Sequence, residues 1–298
     1  MVLIVLVALS LAAGLAAFLL VRHWPQSDPA LSATERIGAT LRSHPQPRSF
    51  LRSRMNPASA TGLALTVALV GIVVTGAIVG LFAWMIRRES GVVDVDLAVE
   101  RWAEAHATDV TDGVLEALTH LGDTETVVAV AIVVGLFGLW RWRKPAVPLF
   151  VLSVVLGQLL ISNTIKVVID RARPELRPRV EFTGTSFPSG HTTAATATYL
   201  AVVLVLAIGS SPRARAALAG AAVAIGVAVG CTRALLGVHF FSDALAGFAI
   251  GLSWFGLCAV AFGGRLLSFG APAKVAAAPP RSPLPGRARA RSDPRGAP

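Results

Sequence analysis

Long uninterrupted apolar runs dominate the chain and alternate with shorter polar segments. Seven of them approach the length of about 20 residues that an α-helix needs to cross the roughly 30 Å hydrocarbon core of a bilayer. Transmembrane β-strands instead alternate apolar and polar positions over about ten residues, so runs this continuous predict helices. The seven predicted spans are residues 1–21, 61–86, 127–142, 145–165, 192–209, 217–235 and 242–262.

The polar segments between these runs divide the chain into four parts. Residues 1–21 have neither a basic start nor a convincing cleavage site, so we expect a retained accessory helix and not a signal peptide. A linker at 22–60, rich in Pro, Ser and Arg, precedes a six-helix membrane domain at 61–262. The tail 263–298 has too few large apolar residues to fold. The predicted fold class is all-α: a polytopic membrane helical bundle with a six-helix core and one extra N-terminal transmembrane helix.

One polar segment has its own periodicity. Between residues 89 and 126, apolar side chains recur at roughly helical spacing among acidic ones. This pattern predicts one or two amphipathic helices at the membrane interface. We interpret them as packing elements in preference to a path for substrate entry.

Composition and charge agree with an integral membrane protein. The 298 residues are 54% hydrophobic and 15% charged, with a mean hydropathy of +0.66 and a net charge of +10. The basic residues concentrate in the linker, in 141–144, in 213–215 and in the tail, which is the cytoplasmic bias of membrane proteins and not a nucleic-acid-binding face. Residues 89–126, which carry ten of the seventeen acids, are therefore predicted to lie outside, together with 166–191 and 236–241. We expect a multi-pass protein of the plasma membrane.

Glycines four residues apart occur on three predicted spans. Such spacing allows helix backbones to approach closely, and it marks internal packing more often than dimerisation. The pattern leaves the oligomeric state open. The pairs are Gly76 and Gly80, Gly226 and Gly230, and Gly247 and Gly251.

Three short clusters of polar residues stand at the edges of apolar runs, where charges are costly unless they face a cavity or each other. The first contains Lys166 and Arg173, followed by Pro174. Lysine provides a compact positive charge and arginine a planar fork that binds two phosphate oxygens. The neighbouring Arg171, Arg177 and Arg179 have no assigned role.

The second cluster reads Pro-Ser-Gly-His and leads directly into an apolar run. Ser189 is placed to cap a helix, and the N-terminus of a helix attracts anions through its free N–H groups. Gly190 would let a phosphoryl group approach the backbone. His191 follows as a candidate for proton transfer.

The third cluster contains Arg233, His239 and Asp243. Residues four apart lie on one face of a helix, so we expect His239 and Asp243 to be adjacent. A carboxylate that accepts a hydrogen bond from one imidazole nitrogen leaves the other nitrogen as a directed base or nucleophile. All three clusters are predicted to emerge on the same outer face.

Taken in order, Lys-x6-Arg-Pro, Pro-Ser-Gly-His and Arg-x5-His-x3-Asp resemble the three-part signature of the type 2 phosphatidic acid phosphatase superfamily. The resemblance covers approximately residues 61–262. It implies an integral-membrane lipid phosphatase with His239 as nucleophile, Asp243 as its partner and His191 as acid and base. It also implies phosphate binding by Lys166, Arg173, Ser189, Gly190 and Arg233. Thr232 departs from the family, which commonly has serine there.

The predicted reaction is hydrolysis of a lipid phosphate or diphosphate at the outer face, through a phosphohistidine intermediate. The predicted site has Asp243 as its only acid, so it calls for no metal and no cofactor. Polyprenyl diphosphates such as undecaprenyl diphosphate, phosphatidic acid and phosphatidylglycerol phosphate all fit as substrates, and no nucleic-acid partner is expected. Two alternatives stay open: a vanadate-dependent peroxidase, and a non-catalytic protein that binds or transports a lipid phosphate.

Overall fold

The computed structural model describes residues 1–23, 60–174, 180 and 184–266, and throughout these residues the regular structure is helical. Most of the predicted linker, the tail beyond residue 266, Arg177 and Arg179 lie outside the described residues. A 3₁₀ turn, His120–Gly122, joins the fourth and fifth α-helices. The helices are α1 Val2–His23, α2 Ala60–Arg87, α3 Val92–Ala105, α4 Asp109–Thr119, α5 Thr124–Trp142, α6 Ala146–Ile169, α7 Gly190–Leu206, α8 Pro212–Leu235 and α9 Phe241–Leu266.

Six of these helices are long and apolar enough to cross a bilayer, namely α1, α2, α5, α6, α8 and α9. The seventh predicted span corresponds to α7, which is shorter, at 17 residues. Its first turn begins at Gly190, two residues before the predicted start, because Ser189 accepts a hydrogen bond from the backbone N–H of Thr192 and so caps the helix. The all-α prediction is therefore confirmed.

Helix α7 is the buried centre of the bundle, and glycines of α8 and α9 allow its close packing. A methyl group on Gly247 would lie 2.6 Å from the carbonyl oxygen of Ser189, and one on Gly251 would lie 2.7 Å from that of Thr193. On α8, a methyl group on Gly226 would lie 2.7 Å from Thr196 Oγ1. Contacts this short leave no room for a Cβ atom, so these three glycines serve packing within the chain. A Cβ atom on Gly76 or Gly80 would meet nothing within 4 Å among the described residues, so the prediction of internal packing does not extend to that pair.

Helix α1 packs along α8 through another pair of glycines. A methyl group on Gly14 would lie 2.8 Å from the carbonyl oxygen of Gly220, and a methyl group on Gly220 would lie 2.6 Å from the carbonyl oxygen of Gly14. Val2 and Leu6, at the start of α1, belong to one hydrophobic cluster with Leu235, at the end of α8. The two helices are therefore antiparallel.

The acidic segment before α5 forms two helices, α3 and α4, which cover the same end of the bundle. Ala103 of α3 and Leu115 of α4 are buried against Leu235 and Leu236. The side chain of Thr108 begins α4 by accepting a hydrogen bond from the N–H of Thr111. The three polar clusters lie at this end of the bundle, since α6 and α8 end there and α7 and α9 begin there.

Candidate active site

A cavity of about 360 Å³ opens at the end of the bundle where the three clusters meet. Its walls come from the 3₁₀ turn, α6, the loop after α6, the first turn of α7, the end of α8 and the turn before α9. Six of the eight predicted site residues line it, whereas Ser189 and Asp243 lie behind its wall. The six are Lys166, Arg173, Gly190, His191, Arg233 and His239.

His239 lies at the buried side of this cavity and is 2% exposed. Its Nδ1 is 3.6 Å from Asp243 Oδ2, an ion-pair distance longer than a hydrogen bond. Arg173 Nη1 donates to its Nε2 over 3.3 Å, so this nitrogen faces the cationic part of the site. Burial lowers the pKa of His239 to about 4, although the Asp243 carboxylate opposes the shift. The imidazole is therefore neutral at physiological pH.

The route by which His239 reaches Asp243 differs from the prediction. The i, i+4 argument placed both residues on one helix, but α9 begins at Phe241, and His239 belongs to the preceding turn. That turn is held by the carbonyl oxygen of Arg233, which accepts hydrogen bonds from the N–H groups of Val238 and His239, both over 3.2 Å. The residues are still neighbours, because the turn folds back over the first turn of α9.

Asp243 is fully buried, and its carboxylate has several donors. Arg171 Nη1 donates to Oδ1 over 2.6 Å, and the backbone N–H of Phe240 donates to Oδ2 over 3.0 Å. The hydroxyl of Ser186 also donates to Oδ2. A buried carboxylate needs such partners to stay charged, and these partners also fix its orientation toward His239.

Arg171 connects this carboxylate to a second buried acid, Asp96 of α3. Its Nη2 donates to Asp96 Oδ2 over 2.8 Å, and its guanidinium carbon lies 3.9 Å from the centroid of the Phe240 ring. Asp96 also accepts hydrogen bonds from the N–H and hydroxyl of Ser242, over 2.8 and 2.6 Å. The acidic segment therefore contributes directly to the environment of Asp243.

His191 stands on the opposite wall, in the first turn of α7, and its side chain is 30% exposed. Its Nε2 is 2.8 Å from Asp123 Oδ1. Asp123, at the start of α5, also contacts His120, whose Nδ1 is 2.7 Å from Oδ2. The His120 side chain is 62% exposed, so one carboxylate connects His191 to an imidazole in contact with solvent.

Three cationic side chains surround the space between the two histidines. Arg233 Nη1 donates to Thr119 Oγ1 over 3.1 Å, which fixes the guanidinium although α8 ends two residues later. Arg173 is anchored to the carbonyl oxygens of Gly184 and Val238, over 2.9 and 2.6 Å. Among the described residues, neither Lys166 nor Arg233 has an acidic partner within salt-bridge distance. The cavity is therefore suited to an anion.

The N-terminus of α7 completes this wall of the cavity. Gly190 lines it, and a methyl group there would lie 3.9 Å from Lys166 Nζ. Ser189 is buried and accepts hydrogen bonds from the N–H and hydroxyl of Thr192. Direct phosphate contact by the Ser189 hydroxyl stays a prediction, and its observed task is to cap the helix that presents Gly190 and His191.

Several residues around the site were missed by the sequence interpretation. Arg171 was left without a role, yet it is buried between two carboxylates. Asp243 was expected to be the only acid, but Asp123 contacts His191 at the cavity. Among the described residues, no three His, Cys, Asp or Glu side chains are placed so that they could hold a metal ion together. The available signal for Asp123 was its place just before an apolar run, because a charge at the edge of a membrane span is costly unless it faces a cavity or a partner.

Comparison with known proteins agrees with this geometry. The PAP2 superfamily model matches residues 146–266, the part from α6 to α9. Phosphatidylglycerophosphatase B of Bacillus subtilis is 33% identical over 144 residues, which cover 48% of this chain and 70% of that protein. The chain belongs to the PAP2 superfamily. All eight predicted site residues fall within the matched part.

Two further proteins are similar to this chain. Lipid A 1-phosphatase of Rhizobium etli is 32% identical over 165 residues, which cover 48% of this chain and 67% of that protein. The crystal structure of a transmembrane PAP2-type phosphatidylglycerolphosphate phosphatase from Bacillus subtilis superposes with a TM-score of 0.58 and 25% identity. The superposition covers 67% of this chain and 96% of the Bacillus subtilis chain. As a PAP2 member with six apolar helices of membrane-spanning length in the described part of the chain, the protein is a membrane phosphatase.

Proposed function

We propose that the protein hydrolyses a lipid phosphate or diphosphate at the outer face of the membrane, through a phosphohistidine on His239. The observation that carries the proposal is the position of His239 on a cavity lined by Lys166, Arg173 and Arg233. Binding an anion requires only the cations. A buried imidazole beside a carboxylate that is itself held by Arg171 supports catalysis in addition.

In the first step, Nε2 of His239 attacks phosphorus, and the bond from phosphorus to the leaving oxygen breaks. His191 donates a proton to that oxygen, so the lipid departs as an alcohol or as a monophosphate. Charge spread over the three nonbridging oxygens is stabilised by Lys166, Arg173 and Arg233. Arg173 moves from His239 to phosphate as the substrate enters. Asp243 stabilises the positive charge that develops on the imidazole.

In the second step, His191, now neutral, takes a proton from a water molecule as that water attacks the phosphohistidine. The bond between phosphorus and nitrogen breaks, and inorganic phosphate leaves. His191 ends the cycle protonated, as it began, and His239 is again neutral. Burial and Arg233 lower the pKa of His191, so the protonated form depends on the contact with Asp123 and on the negative charge of the bound phosphate, which both favour it.

The membrane position of the cavity supports a lipid substrate. It lies at the ends of apolar helices, so a phosphate can reach the cations while the hydrocarbon chain stays in the bilayer. Relatives named phosphatidylglycerophosphatase B and lipid A 1-phosphatase support a lipid phosphate ester. Basic residues at the opposite end of the bundle, Arg143, Lys144, Arg213 and Arg215, support an outward-facing site.

Activity is tested with purified protein in detergent micelles that contain a lipid phosphate and EDTA. We expect the wild type to release phosphate, and His239→Ala to lose this activity by about 10³-fold or more because the nucleophile is absent. His106→Ala removes a histidine outside the cavity and serves as the matched control. Undiminished turnover by His239→Ala would refute the mechanism.

The membrane face is tested with single cysteines and an impermeant thiol reagent on intact cells. Ala172→Cys lies in the exposed loop near the cavity, and Lys144→Cys lies in the exposed turn at the other end of the bundle. We expect immediate labelling of Ala172→Cys and labelling of Lys144→Cys only after permeabilisation. The opposite pattern would place the site in the cytoplasm.

A further inference from the structure

A row of polar side chains continues from the cavity along α6 into the apolar part of the bundle. Gln158, Ser162 and Lys166 are spaced four residues apart, so they lie on one face of the helix, and all three line the cavity. Gln158 is 1% exposed and Ser162 is 3% exposed. Only Lys166 belongs to the phosphate-binding set.

The two deeper side chains have unused hydrogen-bonding capacity. Neither the amide nitrogen nor the amide oxygen of Gln158 has a hydrogen-bond partner among the described residues, and the Ser162 hydroxyl has none either. Buried polar groups in proteins are nearly always paired, because leaving them unpaired is unfavourable. Three unpaired polar atoms on one cavity wall therefore indicate a polar ligand group at this depth.

The position of these residues relative to the phosphate-binding cations defines which part of a substrate they meet. With a helical rise of 1.5 Å per residue, Ser162 is about 6 Å and Gln158 about 12 Å along the axis from Lys166. Leu159 and Ala194 line the same cavity and provide apolar surface beside them. The wall thus offers hydrogen-bond donors just beyond the phosphate and hydrocarbon contacts next to those donors.

Two chemical classes of lipid phosphate differ at this depth. In an acylated glycerol phosphate, ester carbonyl oxygens follow the phosphate within a few bonds. In a polyprenyl phosphate or diphosphate, hydrocarbon begins directly at the phosphate oxygen and offers no acceptor. The Gln158 amide nitrogen and the Ser162 hydroxyl can both donate hydrogen bonds, so they match the carbonyl acceptors of the first class.

We propose, building on the phosphatase function above, that Gln158 and Ser162 form a subsite that donates hydrogen bonds to the ester carbonyl groups of an acylated glycerol phosphate. The subsite selects this class over ether-linked and polyprenyl phosphates. Selection arises because a lipid without these carbonyl oxygens leaves the buried donors unpaired on binding.

The test compares kcat/KM for a diacylglycerol phosphate, the dialkyl ether of the same chain length and a polyprenyl phosphate in identical detergent micelles. We expect the wild type to prefer the diacyl lipid over the dialkyl lipid by about tenfold, the effect of one or two hydrogen bonds. Gln158→Leu and Ser162→Ala should each lower this ratio toward one. Thr164→Val, an exposed hydroxyl change on the same helix, should keep the wild-type ratio.

The outcomes separate this subsite from the phosphatase activity itself. Equal rates on diacyl and dialkyl lipids by the wild type overturn the subsite and leave the phosphatase proposal standing. A fall of the same factor on both lipids in Ser162→Ala and Gln158→Leu also overturns it, because a structural role or a bound water has that effect. If the wild type releases no phosphate from any of the lipids, the phosphatase proposal fails, and the subsite fails with it.

Discussion

The two histidines of the cavity stand in contrasting surroundings. His239 is almost fully buried, and its partner Asp243 is fixed by a hydrogen bond from Arg171. His191 is partly exposed and contacts Asp123, which in turn reaches the solvent-exposed His120. A nucleophile benefits from a fixed orientation and the absence of water. An acid and base that must give and take protons within each cycle benefits from contact with water. The difference in burial thus matches the difference in proposed role.

The largest expected effect separates the two histidines by leaving group. His239→Ala should lose activity by about 10³-fold or more on every phosphate ester, since no nucleophile remains. His191→Ala should lose about 10²–10⁴-fold on a lipid phosphate, because an alkoxide leaves poorly without a proton. The aryloxide of an aryl phosphate leaves without protonation, so the loss in His191→Ala should be far smaller on that substrate. The measurement is kcat/KM for both substrates in both variants. Equal losses on the two substrates in His191→Ala would remove the contrast.

The next effect concerns the buried network behind His239. Arg171→Gln leaves Asp96 and Asp243 without their shared guanidinium, and breaking a buried pair costs about 3–5 kcal/mol of unfolding free energy. We also expect the acidic limb of kcat/KM to move upward, since removing a positive charge beside the His239–Asp243 pair favours protonated His239. Thermal unfolding in detergent and a pH profile measure the two effects. Arg101→Gln, an exposed arginine on the same helix as Asp96, is the control.

An unmoved acidic limb in a folded Arg171→Gln protein would show that Arg171 acts on stability alone. Arg171→Lys provides a second test, because lysine keeps the positive charge but lacks the guanidinium that binds Asp96 and Asp243 at the same time. It should retain the wild-type limb and recover only part of the stability.

The smallest expected effect concerns the partner of His191. Asp123→Asn removes the charge that stabilises protonated His191, and we expect a loss of about tenfold in kcat on a lipid phosphate because the pair is partly exposed. His120→Ala changes only the exposed partner and should alter kcat by less than about threefold. Steady-state phosphate release measures both. A larger effect of His120→Ala than of Asp123→Asn would indicate that His120 takes part in the reaction itself.

The same contrast explains how far the sequence could predict the site. Lys166, Arg173, Gly190, Arg233 and the two histidines stand at the ends of apolar runs, so the predicted spans also predicted that they would meet. All six line one cavity, which is where that argument expects them. Such residues are near one another because the membrane fixes where helices end, and that constraint is visible in the sequence.

The supporting residues were not predictable in this way. Asp96 is one of ten acids in its segment, and no periodicity distinguishes it from the exposed ones. Its partner Arg171 is 75 residues away in sequence, and the pairing depends on how α3 packs over the loop after α6. Gln158 did carry a signal, since an amide within a predicted span is costly unless it faces a cavity.

The central claim is that His239 carries the phosphoryl group, and trapping the intermediate tests it most directly. Protein in detergent is mixed with a lipid labelled in its terminal phosphate and quenched in alkali, under which phosphohistidine survives, and the labelled peptide is sequenced. We predict an acid-labile, alkali-stable label on the peptide that contains His239, and no label in His239→Ala. Label on His191, or turnover without any covalent label on the protein, would contradict the account.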